Sequence, residues 1–138
     1  MRRRLHNATR PERRRGVAAS ELAVCLPVIV LLVLAMVESC TMIFLKQSLT
    51  TSAYEGVRSA LVQNARTADV QASCDAVLRD RRVQGASIAV RPANWERIAP
   101  GRFVEVTVSA PAARNSVIPG SFFRGRTLSA TAVMMKEF

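Results

Sequence analysis

The feature that most constrains this chain is an uninterrupted apolar run near its N-terminus. Residues 22–37 read LAVCLPVIVLLVLAMV, sixteen positions without a charged side chain. As an α-helix such a run spans about 24 Å, slightly less than the roughly 30 Å hydrocarbon core of a bilayer. The flanking stretches VAASE and ESCTMIFL lengthen the segment, and Lys46 closes it. The sequence therefore predicts one membrane-spanning helix over residues 17–45.

The charge distribution predicts the orientation of that helix. Of a net charge of +10, +6 lies in residues 1–16, which hold seven arginines and one glutamate. Lys46 and Arg58 are the only basic residues in the twenty positions after the segment. Because excess arginine and lysine beside an apolar run stays in the cytoplasm, we expect a bitopic protein of the inner (cytoplasmic) membrane. Its basic leader would be cytoplasmic, and residues 46–138 would form an exported periplasmic head.

The head is predicted to begin with two helices. Apolar or small residues recur at every fourth position from Leu45 to Ala65, so the membrane helix is expected to continue past Gly56 as an amphipathic helix. One glycine weakens a helix by roughly 1 kcal/mol but does not end it. Thr67 is predicted as the N-cap of a second helix, whose apolar stripe consists of Val70, Cys74, Val77 and Leu78.

After Gly85 the apolar period changes from about four residues to two, which is typical of half-buried strands. Three segments alternate in this way: 86–90, 103–110 and 127–135. An antiparallel sheet with one apolar face needs a cover, and the helices of residues 46–83 supply it. The predicted fold class is therefore α+β, with a long N-terminal helix, a short second helix and a small three-stranded antiparallel sheet.

The three cysteines are predicted to be small buried hydrophobes rather than disulfide partners. Cys25 and Cys40 are fifteen residues apart, roughly 22 Å along a helix, whereas a disulfide needs Cα atoms within about 7 Å. Cys74 lies on the second helix, which begins near residue 67. If the first helix is long, the second helix has folded back only roughly 10 Å by residue 74, so Cys74 stays far from Cys40. No intramolecular bridge is expected.

The residues offer no arrangement for catalysis, for a metal or for a cofactor. The only histidine, His6, lies in the leader, so a Ser-His-Asp, Cys-His or histidine-metal site in the head is excluded. Glu96 and Glu105 are interpreted as solvated carboxylates, one in a loop and one on a strand, rather than as a glycosidase pair. No aromatic residues interleave with the arginines, which argues against a nucleic-acid partner. We therefore expect that the protein is not an enzyme.

Two alternative interpretations of the N-terminus remain. VESC at residues 37–40 has a faint lipoprotein pattern that would lipidate Cys40, although Glu38 occupies a position that is normally small or apolar. A plain, unprocessed signal anchor holding a periplasmic scaffold or binding domain is the other alternative. The signal anchor explains the apolar run but not Gly16 and Glu21. A carboxylate at the edge of an apolar segment is costly enough to require a partner or a role.

The stretch RRRGVAASE, residues 13–21, resembles the processing site of class III signal peptides: basic residues, a glycine, and a glutamate five positions later. The resemblance is to the TadE-like family of the tight-adherence (Tad/Flp) pilus system, whose members start with Arg-Gly-small-small-x-Glu and carry a proline in the apolar run, here Pro27. It implies cleavage between Gly16 and Val17, which leaves the apolar helix on the mature protein. Related TadF and TadG proteins share this anchor.

Two further stretches support the resemblance. TSAYEGVRSA, residues 51–60, resembles the family's Ala-x-Glu-Gly-x-Arg-x-Ala motif, carried here by Glu55, Gly56 and Arg58, and LSATAVMMKE resembles its closing strand. The resemblance implies a pilin-like minor pseudopilin of a type IVc pilus. Its expected partners are a prepilin peptidase, other pilus subunits, the inner-membrane assembly platform and membrane lipid. Glu21 would register subunits by meeting the new Val17 amine of the same or a neighbouring chain.

Overall fold

The computed structural model describes residues 12–117, 123 and 125–137, with side chains from residue 16 onward. The helices are α1 (Glu12–Ala60), α2 (Thr67–Asp80) and α3 (Ala112–Asn115), with a 3₁₀ turn at Trp95–Arg97. The strands are β1 (Ser87–Arg91), β2 (Phe103–Pro111) and β3 (Thr127–Met135). The predicted α+β fold is confirmed. Most of the predicted leader lies outside the described residues.

The chain forms two compact units, of which the second begins at Val37. In the first unit the large apolar side chains of α1 are exposed from Val17 to Met36, with Val24 76% and Leu32 63% accessible. The helix from Gly16 onward is long and apolar enough to cross a membrane, with a mean hydropathy of 2.6. Exposed apolar surface of this extent requires a lipid or protein environment, so the first unit suggests membrane anchoring.

The second unit is built on an antiparallel sheet in the order β1-β2-β3. The central strand aligns Val106 with Val90 on one side and with Ala132 on the other. Strand residues alternate between buried and exposed, which places Val104, Val106 and Val108 on the inner face. The predicted strand positions and the predicted buried face are confirmed to within one residue at each end.

Both helices cover that inner face, as predicted. The buried stripe of α1 and the stripe of α2 join the sheet in one core, which includes Leu45, Leu49, Ala53, Val57, Val70, Cys74 and Leu78. Trp95 closes one end of the core and is 2% exposed. The four-residue spacing in the sequence therefore identified the buried face of each helix correctly, apart from Val77, which is only half-buried.

The predicted continuation of the first helix past Gly56 is confirmed, but α1 ends at Ala60, before the four-residue repeat ends at Ala65. The amides of Leu61 and Val62 bond three residues back at 3.2 Å, to Arg58 and Ser59, which tightens the last turn. Asn64 then adopts φ 59°, a left-handed conformation that reverses the chain. Ala65 still packs against the core, so the sequence period continued after the helix had ended.

The prediction that Thr67 is the N-cap of the second helix is wrong, because the cap is Arg66 and Thr67 is the first helical residue. The backbone amide and hydroxyl of Thr67 both donate to Oε1 of Glu96, at 2.8 and 2.7 Å. A carboxylate from 29 residues away therefore satisfies the helix terminus that Thr67 was expected to satisfy locally. Asp69 adds a local contact by accepting from the amide of Arg66 at 2.8 Å.

Candidate functional site

The predicted processing site lies in the first turns of the described helix. Gly16 is exposed, and a Cβ added there would meet nothing within 4 Å. The hydroxyl of Ser20 donates to the carbonyl of Val17 at 2.8 Å. Because α1 begins at Glu12, the Gly16–Val17 bond lies within a helix. A peptidase that needs an extended substrate would have to unwind this turn.

Glu21 lies four residues after Val17 and is exposed. Positions four apart share one face of a helix, about 6 Å along its axis. Among the described residues, the Glu21 carboxylate has no hydrogen bond or ion pair. The structure therefore places Gly16, Val17 and Glu21 together in the first unit, where the carboxylate is available to a group from another molecule.

The second predicted motif lies at the other end of α1, in the second unit, and it divides into two faces. Its small members point into the core: Ala53 is fully buried, and Gly56 is buried beside it. Glu55 is half-buried and Arg58 is exposed. The motif thus combines a packing function on one face with polar side chains on the other, and it does not lie with Glu21 in one compact unit.

Gly56 is required by a close approach between α1, α2 and the sheet. A Cβ at this position would overlap Sγ of Cys74 and would lie 3.2 Å from Cγ1 of Val106 and 3.6 Å from Cγ1 of Val70. Separations below about 3.4 Å are tighter than ordinary carbon contacts. The glycine therefore lets three elements meet at one point, which is a structural reason for this residue within the motif.

Cys74 and Ser52 fasten the same contact with a reciprocal pair of hydrogen bonds. The Ser52 hydroxyl donates to the Cys74 carbonyl at 3.2 Å, and the Cys74 thiol donates to the Ser52 carbonyl at 3.4 Å. Burial raises the pKa of the Cys74 thiol, and the Ser52 side chain offsets only part of that increase. A thiol that stays protonated is a poor nucleophile, so Cys74 has a packing role.

The prediction that the cysteines are buried is confirmed for the one in the head and is wrong for the two on the apolar helix. Cys74 is buried, as expected, whereas Cys25 and Cys40 are exposed, and all three are free thiols. Across the described residues, no group of three or more His, Cys, Asp and Glu side chains is placed to hold a metal ion.

The sequence did not reveal the environment of Glu38. This carboxylate is 1% exposed within the second unit. Its Oε1 accepts from the Ser116 hydroxyl at 2.6 Å, while Oε2 is buried without a hydrogen bond among the described residues. Lipoprotein processing would cut before Cys40 and remove Glu38 from this contact, which argues against that alternative.

Comparison with known families places these residues in context. Residues 16–58 match the family of TadE-like proteins. The match begins at Gly16 and ends at Arg58, so it contains the predicted processing glycine, Glu21 and most of the motif around Gly56. It covers about a third of the chain and confirms the resemblance over that part, whereas the closing strand lies outside it. The TadE-like family suggests a Tad pilus-associated protein. Comparison with curated proteins and with solved structures gives no match.

Proposed function

We propose that this protein is a minor pseudopilin that assembles with other subunits of a Tad-type (type IVc) pilus. The observation that carries the proposal is the TadE-like match that starts at Gly16, together with an exposed Glu21 four residues after Val17. A prepilin peptidase would cut after Gly16 from the cytoplasmic side. The mature chain would stay in the inner membrane by α1, with its head in the periplasm, or enter the pilus.

The burial pattern supports a membrane segment shorter than 17–45. Glu38 and Met42 are buried within the second unit, and a helix face covered by the head is not covered by lipid. Residues 17–37 alone would span roughly 31 Å as a helix, which matches the roughly 30 Å hydrocarbon core. We therefore place the membrane boundary at Val37, so that the head begins with Glu38.

Within this arrangement Glu21 acts as a registration device. Cleavage creates an amine at Val17, and a carboxylate four residues further on lies at nearly the same depth. An acidic side chain costs roughly 2.5–3.5 kcal/mol at the centre of a membrane helix and less near its ends. An amine from the same or a neighbouring subunit offsets that cost only when the helices are in register, so a slipped subunit is disfavoured.

The unprocessed signal anchor is the alternative, and one observation favours it: α1 runs without a break from Glu12 through Gly16. Intact mass spectrometry of the membrane form separates the two. In a strain with an active prepilin peptidase, a pseudopilin starts at Val17, and Gly16 replaced by a bulky residue blocks the cut. A chain that retains residues 1–16 in that strain would refute processing.

The role of Glu21 is tested with a matched pair of variants. Glu21→Gln should leave membrane insertion and cleavage intact but reduce pilus assembly and co-purification with other pilus subunits. Glu137→Gln makes the same change at an exposed position of the head and should behave as the wild type. Glu38 is unsuitable as the control because it is buried and bonded to Ser116. Wild-type assembly in both variants would exclude the registration role.

A further inference from the structure

One pocket of the head is lined by a cluster of positively charged side chains. It has a volume of about 260 Å³ and lies between α1, the end of α2 and the segment after α3. Three arginines from two separate segments line it: Arg81 and Arg82 after α2, and Arg114 in α3. Among the described residues, none of the three guanidinium groups has a carboxylate partner.

The arginines are positioned by contacts that leave their charges unpaired. The guanidinium carbon of Arg81 lies 5.7 Å from the centre of the Phe44 ring, within the range of a cation–π contact. Arg114 packs on Gly85, where an added Cβ would lie 2.9 Å from its Nη1. Gly85 has φ +66°, so a larger residue would be strained there and would displace the Arg114 side chain.

Asn115 fixes the two sides of the pocket to each other. Its Oδ1 accepts from the amide of Gln84 at 2.8 Å, and its Nδ2 donates to the carbonyls of Gln84 and Pro111, both at 3.0 Å. This side chain ties the turn after α2 to α3. The segment that carries Arg81 and Arg82 and the helix that carries Arg114 are therefore fixed to each other beside one space.

Two negatively charged features at this pocket would repel an anion. The end of α2 presents the negative end of the helix dipole, which Arg81 and Arg82 partly neutralise. Ser116 lines the pocket and donates to the buried carboxylate of Glu38. Arg114 comes from a different element, so helix capping does not explain its presence. Three cations against one carboxylate and a partial charge leave the pocket positive.

The pocket lies close to the end of the apolar segment. Thr41 and Phe44 line it, and they follow Val37 by four and seven residues, which is about 6 and 10 Å along a helix. The polar headgroup layer on each side of the hydrocarbon is about 5–8 Å thick. If Val37 marks the hydrocarbon boundary, the pocket opens at the depth of the lipid phosphates.

We propose that this pocket, lined by Arg81, Arg82 and Arg114, binds the phosphate of an anionic phospholipid in the leaflet from which the head emerges. Arginine matches phosphate geometry with its planar fork of N–H donors. The bound lipid would hold the head against the membrane surface. The inference rests on the proposed membrane anchor but not on cleavage or pilus assembly.

The test uses the full chain reconstituted in nanodiscs of equal phosphatidylglycerol and phosphatidylcholine. After gentle extraction, native mass spectrometry measures the ratio of the two lipids that stay bound. An arginine near an anionic surface is worth about a fivefold change in binding, so Arg81→Gln with Arg114→Gln should lower the phosphatidylglycerol preference by up to about thirtyfold. Replacing both with lysine should retain most of it.

The matched control removes two exposed arginines outside the pocket, Arg97→Gln with Arg102→Gln, and should retain the wild-type ratio. The basic leader is the same in every variant, so its own lipid binding cancels in the comparison. An equal loss in both double variants, or no loss in either, would overturn the proposal. So would protection of the head from heat by inorganic phosphate without any lipid preference, since that marks a site for free anions.

The same samples separate this inference from the membrane anchor on which it depends. Carbonate extraction of membranes tests the anchor: a chain released by carbonate contradicts both the anchor and the lipid site. A chain that resists carbonate but shows an unchanged lipid ratio contradicts the lipid site alone.

Discussion

Replacing Gly56 with alanine tests the close contact at the centre of the head. The added methyl would overlap Sγ of Cys74 and press on Val106 at 3.2 Å. Overpacking of this kind costs about 1–3 kcal/mol, while alanine gains about 1 kcal/mol over glycine within a helix. The expected net loss of unfolding free energy is therefore about 0–2 kcal/mol. That range is too wide for the single variant to be decisive.

A double-mutant cycle with Cys74→Ala sharpens the test. Removing the thiol alone should cost about 1 kcal/mol, as for deletion of one buried group. In the double variant the methyl at position 56 occupies the space of the missing sulfur. The double variant should then be more stable than the sum of the single losses predicts, with a coupling energy of about 1–2 kcal/mol.

The assay is urea unfolding of the full chain in a mild detergent, followed by tryptophan fluorescence. Trp95 is the only tryptophan and is 2% exposed in the core, so its emission reports on the head. Gly16→Ala is the matched control, because nothing lies within 4 Å of a Cβ there. A destabilised control, or additive losses in the cycle, would refute the steric explanation of Gly56.

Two further predictions follow from pKa shifts in the head. Hydrogen bonds from Thr67 lower the pKa of Glu96. The contribution of Glu96 to stability should therefore be complete above the unfolded pKa of about 4.3 and be lost as the pH falls through the lower folded pKa. Glu96→Gln should flatten this acid dependence of the unfolding free energy in urea titrations, and an unchanged profile would contradict the capping role. Burial raises the pKa of Cys74, so iodoacetamide should label Cys40 in the native protein and Cys74 only after unfolding. Peptide mapping should find no Cys40–Cys74 bridge, and rapid native labelling of Cys74 would show that the core opens.

The elements of the fold could be predicted because their signals are local. The apolar run, the four-residue stripe of α1 and the alternation in β2 each depend on neighbours within a few positions. The ends of the elements depended on distant contacts. The cap of α2 comes from Glu96, 29 residues away, and no nearby pattern signals it. The four-residue period likewise continued to Ala65 although the helix ended at Ala60.

The family motif was found in the sequence, but the reason for its glycine was not. A period of four marks Ala53 and Val57 as core positions, yet it does not show which element packs against the residue between them. Gly56 meets Cys74 from α2 and Val106 from β2, and only the folded chain brings those two together. The arginine pocket was missed for the same reason, since Arg114 lies more than thirty residues after Arg81.

Glu21 and Glu38 occupy similar positions in the sequence but different environments in the structure. Each is a carboxylate at an end of the apolar run, and a hydropathy profile treats them alike. Glu21 is exposed, so a partner for its carboxylate would have to come from another molecule. Glu38 is buried and accepts a hydrogen bond from Ser116, 78 residues later. A buried carboxylate oxygen without a partner costs stability, so the fold retains Glu38 at a cost that Glu21 does not impose. The two positions therefore differ in kind: a substitution at Glu38 perturbs the core of the head, whereas Glu21 lies outside the head and its substitution leaves the head's packing intact.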